Sequence, residues 1–204
     1  GGPLPEINIF LFCIPFVMKS IKYFSIIAII LAGMFFSNWT LAHDKPGPGK
    51  LLPKMYPAPE FTGLKNWINS PDIHSIVELR GKVVLIDFWT FGCINCIHTL
   101  PHVQKWHQAY KDQGLVVLGI HAPEFNYEKK LDNVIAAVKK FGLTFPVAID
   151  NKFQLWRAYK NRFWPAMYLI DKDGIVRYMH FGEGRYKETE AAIVHLLKTK
   201  PPTS

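Results

Sequence analysis

Cysteine is scarce and unevenly placed in this chain: Cys13, Cys93 and Cys96 are the only three in 204 residues. So small and odd a set excludes a miniprotein stapled by disulfides. No second close pair exists to complete a four-cysteine zinc site. Long runs of one charge are missing as well. Lys and Arg number 24 against 16 Asp and Glu, a formal charge of +8, but they are scattered along the chain. A basic solvated surface follows rather than a nucleic-acid groove, and no nucleic-acid partner is expected. There is no internal repeat and no low-complexity domain, so one domain of ordinary size is the default for a chain that is 49% apolar.

Apolar runs long enough to span a membrane are also lacking. The stretch Phe24 to Phe36 falls short of the roughly 20 residues a span requires. It follows Met18-Lys19-Ser20-Ile21-Lys22 and leads to Thr40-Leu41-Ala42, with small residues flanking Leu41. That is the pattern of a signal peptide. Residue 1 is Gly, so Met18 is the expected start. Residues 1–42 are accordingly expected to be a signal peptide, or an uncleaved N-terminal anchor if Ile7 to Val17 adds a second apolar patch. Export to a bacterial periplasm is the expectation. Residues 43–59 contain Pro46, Gly47, Pro48, Gly49, Pro53, Pro57 and Pro59 and read as a linker. A folded domain is expected over 60–198, with 199–204 as a tail.

Within the domain, Phe61 to Leu79 mixes apolar residues with turn formers and reads as a short N-terminal hairpin. Val83 to Trp89 is a nearly continuous run of β-formers, the mark of a strand buried on both faces. Asp87 inside it is an anomaly. Ile97, Leu100, Val103 and Trp106 then recur at helical spacing until Gly114. Leu115 to His121 reads as a strand, Val134 to Phe141 as a helix, Phe145 to Ile149 as a strand and Lys152 to Asn161 as a short helix. Ala166 to Ile170 and Ile175 to Phe181, joined by Asp171-Lys172-Asp173-Gly174, form a hairpin signal. Glu188 to Lys198 is amphipathic and helical. The order predicts an α/β domain with a central mixed sheet flanked by helices.

The cysteine pair sits where a buried strand gives way to a helix. Cys93 there meets unpaired N–H groups and the helix dipole, which favour a thiolate nucleophile. Cys96, one turn inward, is placed to resolve a mixed disulfide on Cys93. Two other readings of the pair are a structural disulfide and half a metal site. His98 and His102 could add ligands, but Pro101 lies between them, and no metal is expected.

Several motifs in order carry a resemblance. They are Gly81-Lys82-Val83-Val84, Phe88-Trp89-Thr90, Cys93-Ile94-Asn95-Cys96, His121-Ala122-Pro123-Glu124-Phe125, Trp164-Pro165-Ala166 and Gly182-Glu183-Gly184. Together, over about Pro59 to Leu197, they resemble the thioredoxin superfamily and within it the periplasmic thioredoxin-like domain of DipZ-type proteins, relatives of the TlpA and ResA group. The resemblance implies a thioredoxin-like fold with a central helix insert over Asn126 to Phe141. It implies that Asp87 is the buried acid that takes a proton from Cys96, and that Pro165 is a cis-proline whose neighbouring backbone, with Trp164, meets substrate. Glu124 matches an acid near the site. Trp89, Phe91, Trp164 and Tyr168 are candidates for an apolar groove, at least half of them expected in the core, with Phe91 the best placed. The chain departs from thioredoxin proper in having Gly92 before the first cysteine and Ile-Asn between the two.

The function expected is an exported protein thiol-disulfide oxidoreductase, exchanging disulfides with protein partners as a reductant. The domain is expected to be monomeric, to need no cofactor beyond a redox-active Cys93–Cys96 disulfide, and to take electrons from a membrane donor protein. One rival is a thiol peroxidase on the same scaffold, whose reactive cysteine sits in a Pro/Thr-flanked loop; no such Thr is expected within the few residues before Cys93. Another is a non-enzymatic module that binds a partner through its aromatic surface.

Overall fold

The computed structural model describes residues 52–71 and 73–200. The leader expected over 1–42, the first part of the linker and residues 201–204 of the tail lie outside these residues. In chain order the elements are β1 (Tyr56–Pro57), β2 (Lys65–Ile68), β3 (Val83–Trp89), α1 (Ile94–Tyr110), β4 (Leu115–His121), α2 (Leu131–Lys140), β5 (Val147–Ile149), α3 (Gln154–Ala158), β6 (Ala166–Ile170), β7 (Ile175–Phe181) and α4 (Tyr186–Lys198). Three short 3-10 turns, Ile76–Leu79, Lys111–Gln113 and Asn126–Lys129, join them.

The seven strands among the described residues form one sheet in the order β1-β7-β6-β3-β4-β5-β2. β3 lies at its centre, parallel to β4 and antiparallel to β6. Every residue of β3 is buried, as its unbroken apolar run requires. The pleat sends alternate side chains to opposite faces. Val83, Leu85 and Trp89 join a core with Leu100, Val103 and Trp106 of α1, Val134 and Val138 of α2, and Ile193 and Leu196 of α4. Val84, Ile86 and Phe88 join a second core with Phe61, Ile76, Leu155 and Trp156. Full burial of each such side chain contributes about 1.5–3 kcal/mol. The same alternation puts Asp87 on the α1 face, beneath the helix that carries the cysteines.

The α/β fold with a mixed sheet between helices is as expected, and so is the helical insert between β4 and β5. The N-terminal hairpin is corrected. Among the described residues of the stretch 61–79 only Lys65–Ile68 is a strand, and it pairs with β5 at one edge of the sheet. Asn69 draws it there, donating from Nδ2 to the carbonyls of Leu143 and Phe145 at 2.9 and 3.1 Å. Residues 76–79 instead form a 3-10 turn, capped where the Ser75 hydroxyl oxygen accepts the Val77 N–H. The end of the expected linker also belongs to the sheet. Tyr56 and Pro57 pair with β7 at the opposite edge, where a proline is tolerated, and Arg177 donates to the carbonyls of Leu52 and Pro53.

Candidate active site

β3 ends at Trp89, and the turn Thr90–Gly92 delivers Cys93 as the N-cap of α1. Its Sγ accepts the Cys96 N–H at 3.3 Å, one of the donors that a helix start leaves unpaired. The Cys93 N–H points to the Thr90 carbonyl at 3.4 Å and closes the turn. Cys93 is partly exposed, Cys96 is buried, and both thiols are free. The two sulfurs therefore differ in access. Burial first of all, then the hydrogen bond with Cys93, pushes the Cys96 thiol well above its ordinary range, against a lowering by a backbone hydrogen bond from Thr90; the Asp87 carboxyl adds to the rise. Cys96 thus holds its proton until something nearby takes it.

Asp87 lies under α1, facing Gly119 and Met167 on the two neighbouring strands. It is 1% exposed, and neither carboxyl oxygen has a hydrogen-bond partner among the described residues. Burial raises its pKa from 3.8 to about 7. A carboxyl group that changes protonation near neutral pH, close enough to Cys96 to act on it through charge, is suited to accept and return that proton.

β4 contributes His121, in register with Trp89. Its ring is fully buried, edge-on to Trp89 and stacked at 5.5 Å on Phe91. Burial lowers its pKa to about 4, against a raising influence of Glu128, so the ring is neutral at pH 7. Its Nε2 shares a hydrogen bond with the Thr90 hydroxyl at 3.3 Å. Thr90 stands three residues before Cys93, contrary to the expectation that no Thr would be found there. It is fully buried, and its hydroxyl is engaged by His121.

Glu124 is exposed, and only its backbone N–H takes part in the local network. The acid that the loop buries is Glu128. Its Oε1 accepts the Gly92 N–H at 2.9 Å, and its Oε2 accepts those of Glu124 and Phe125 at 2.6 and 2.9 Å.

Trp164-Pro165 is a cis peptide. Pro165 is buried, with its carbonyl accepting the Gly182 N–H at 2.8 Å. Trp164 is partly exposed and donates from Nε1 to the Ala122 carbonyl at 2.9 Å, joining this turn to the end of β4. Of the four candidate groove aromatics, Trp89 and Tyr168 belong to the two cores, while Phe91 and Trp164 lie at their edges. His98 pairs with Glu183 at 3.2 Å and His102 stacks on Tyr186 at 3.6 Å. Among the described residues, no group of three or more His, Cys, Asp or Glu could hold a metal ion.

The AhpC/TSA family profile matches residues 56–179. The chain belongs to the AhpC/TSA family. This AhpC/TSA-family chain is 48% identical over 147 residues to protein DipZ of Mycobacterium tuberculosis, covering 71% of the chain and 21% of that protein. It thus spans about a fifth of the length of the DipZ relatives it matches. It is 29% identical to the thiol-disulfide oxidoreductase YkuV of Bacillus subtilis, over 69% of this chain and 94% of YkuV. A putative thiol:disulfide interchange protein DsbE from Chlorobium tepidum superposes with a TM-score of 0.62 at 26% identity, covering 72% of this chain and 99% of the other. The fold is thioredoxin-like.

The structure brings Cys93, Cys96 and Asp87 together around the start of α1, with Phe91 on the rim beside them. It leaves the Glu124 side chain in solvent. Glu128 carries no signal of its own in the sequence: it stands among Asn126, Tyr127 and Lys129, which the fold leaves exposed. Nothing in so polar a stretch marks one carboxyl as buried.

Proposed function

We propose that this chain is an exported protein thiol-disulfide oxidoreductase that acts as a reductant through Cys93 and Cys96. The single observation that carries the reading is the asymmetric dithiol: a reachable sulfur capping a helix, and a buried sulfur behind it over an unpaired acid. The names carried by YkuV and the DsbE structure support it.

Cys93, as thiolate, attacks one sulfur of a substrate disulfide. The new Cys93–substrate bond forms as the substrate S–S bond breaks, releasing one substrate thiolate. Cys96 gives its proton to Asp87 and attacks Cys93 Sγ. The mixed disulfide breaks, the second substrate thiolate leaves, and Cys93–Cys96 becomes the disulfide. Two electrons pass to the substrate. A thiol donor, proposed to be a membrane protein facing the periplasm, returns the dithiol by the reverse exchange. The signal-peptide pattern of residues 18–42 supports export, and no helix among the described residues is long and apolar enough to cross a membrane.

Insulin reduction tests the reading. Cys93→Ser abolishes it, and Cys96→Ser accumulates a mixed disulfide with substrate; activity that survives in Cys93→Ser sinks the proposal. The direction is tested by equilibration with glutathione. No basic residue lies between the cysteines, so the potential is expected nearer the thioredoxin value of about −270 mV than the strong-oxidant value of about −120 mV. A value above roughly −150 mV overturns the reductant role.

A further inference from the structure

The loop after β4 buries a carboxyl group that the exchange chemistry does not use. Glu128 is 0% exposed, and its contacts are backbone N–H groups from two separate stretches. Glu124 and Phe125 belong to its own loop; Gly92 belongs to the turn that carries Cys93. The residue thus fastens the insert to the active-site turn, one position before the nucleophile. Gly92 is what admits it. A Cβ at position 92 would collide with Glu128 Oε1 and lie 2.8 Å from the Tyr127 hydroxyl. The glycine that stands where thioredoxins proper carry tryptophan is the notch that receives this loop.

Seated in this way, the loop builds an apolar face beside the sulfur. The Phe91 ring lies 5.7 Å from that of Tyr127, and Tyr127 stacks on Phe125 at 5.8 Å and 6°. Phe125 and Tyr127 remain half exposed, at 49% and 50%, and Ile94, next to Cys93, is 59% exposed. A polypeptide whose disulfide reaches Cys93 Sγ must lay the residues flanking that disulfide across this face. A small disulfide reaches the same sulfur without doing so.

We propose that Glu128 is a positioning and specificity-determining residue: it locks the Cys93 turn to the Phe125–Tyr127 loop, so that sulfur and aromatic face together receive a polypeptide disulfide flanked by apolar residues. The inference rests on the thiol-disulfide exchange reading above. Burial of part of an aromatic ring on the substrate chain is worth about tenfold in affinity.

The test compares wild type, Glu128→Gln, Gly92→Ala and Tyr127→Ala on insulin and on hydroxyethyl disulfide, with amide hydrogen exchange on each protein. In Glu128→Gln and Tyr127→Ala the ratio of kcat/KM for insulin to that for hydroxyethyl disulfide falls about tenfold, chiefly through the KM for insulin. Gly92→Ala lowers the ratio in the same way, because its Cβ evicts the carboxyl group. Amides 92, 124 and 125 lose protection in Glu128→Gln but keep it in Tyr127→Ala. An unchanged ratio, or an equal loss on both disulfides, overturns the proposal. Should Glu128→Gln fail to fold, amide exchange at 124 and 125 in Gly92→Ala decides the positioning half, and Tyr127→Ala, which alters a half-exposed side chain, decides the substrate half. A wild type that reduces neither disulfide overturns the oxidoreductase reading and the substrate half of this inference; amide exchange still decides the positioning half, which falls if protection at 92, 124 and 125 survives Glu128→Gln.

Discussion

Asp87 and Glu128 are equally shut off from solvent, at 1% and 0% exposure, yet the fold treats them in opposite ways. Asp87 stands in the floor beneath α1 with both oxygens unpaired among the described residues. Glu128 stands in the rim with both oxygens occupied by backbone N–H groups. A buried acid without partners is held back from ionising, so its proton becomes exchangeable near neutral pH. One saturated with donors is fixed in place and fixes the segments that supply them. The floor of this site is therefore suited to moving a proton, and the rim to holding a shape.

The largest effect that would sharpen this contrast is on stability at alkaline pH. Asp87 has its native pKa raised from 3.8 to about 7. Below 3.8 both folded and unfolded chains hold the proton, and the group adds no penalty. As pH rises from 3.8 to about 7, the unfolded chain ionises while the fold still holds the proton, so stability falls by about 4 kcal/mol over that window and levels off above it. Asp87→Asn is expected to recover about that amount at pH 9 and almost nothing at pH 3.5 in urea unfolding. A gain independent of pH would mean that burial does not hold the Asp87 carboxyl back from ionising.

Glu128→Ala should shift stability the other way. It strands N–H groups of Gly92, Glu124 and Phe125 and is expected to lower stability by about 3 kcal/mol at pH 7. A loss under about 0.5 kcal/mol would mean that water replaces the carboxyl group without penalty.

A third effect of similar size comes from His121, whose pKa is lowered from 6.5 to about 4. The fold keeps the ring neutral, so its contribution is complete above 6.5 and is lost as pH falls through 4, by about 3 kcal/mol. Between pH 4 and 6.5 this trend opposes that of Asp87. Wild-type stability should therefore be nearly flat across that window, while Asp87→Asn should grow steadily more stable as pH rises.

The smallest expected effect is kinetic. Without a proton acceptor under Cys96, Asp87→Asn should slow release of the mixed disulfide at pH 7 about 100-fold, or about 2.7 kcal/mol of barrier. Stopped-flow measurement of substrate release reads this directly. An undiminished rate would leave Asp87 as a strained floor residue with no part in proton transfer.

Much of the fold was legible because its signals are local. The apolar run Val83 to Trp89, the Asp-Gly turn between β6 and β7 and the helical spacing after Cys96 each report burial within a few residues of themselves. Asp87 stood out because a carboxyl group interrupts that run. The paths of the first two strands were not legible. β1 and β2 lie at opposite edges of the sheet, and their partners, β7 and β5, are far away in sequence. Turn formers between 61 and 79 mark bends but do not say which edge a strand will meet. The motif points to Glu124 rather than Glu128, and no local pattern separates two acids four residues apart on a polar loop.

Neighbouring residue types and their spacing already specify the sheet-and-helix order, the cysteine pair at the start of α1 and the acid inside the central strand. Tertiary contacts leave Asp87 without a partner among the described residues, turn Glu128 of the insert inward, and set it against Gly92, whose missing side chain admits it. Hydrogen bonds between 92 and 128 form only when β3 and β4 bring their ends side by side. Which of two buried acids reacts and which one holds is thus set by the donors that folding brings to each.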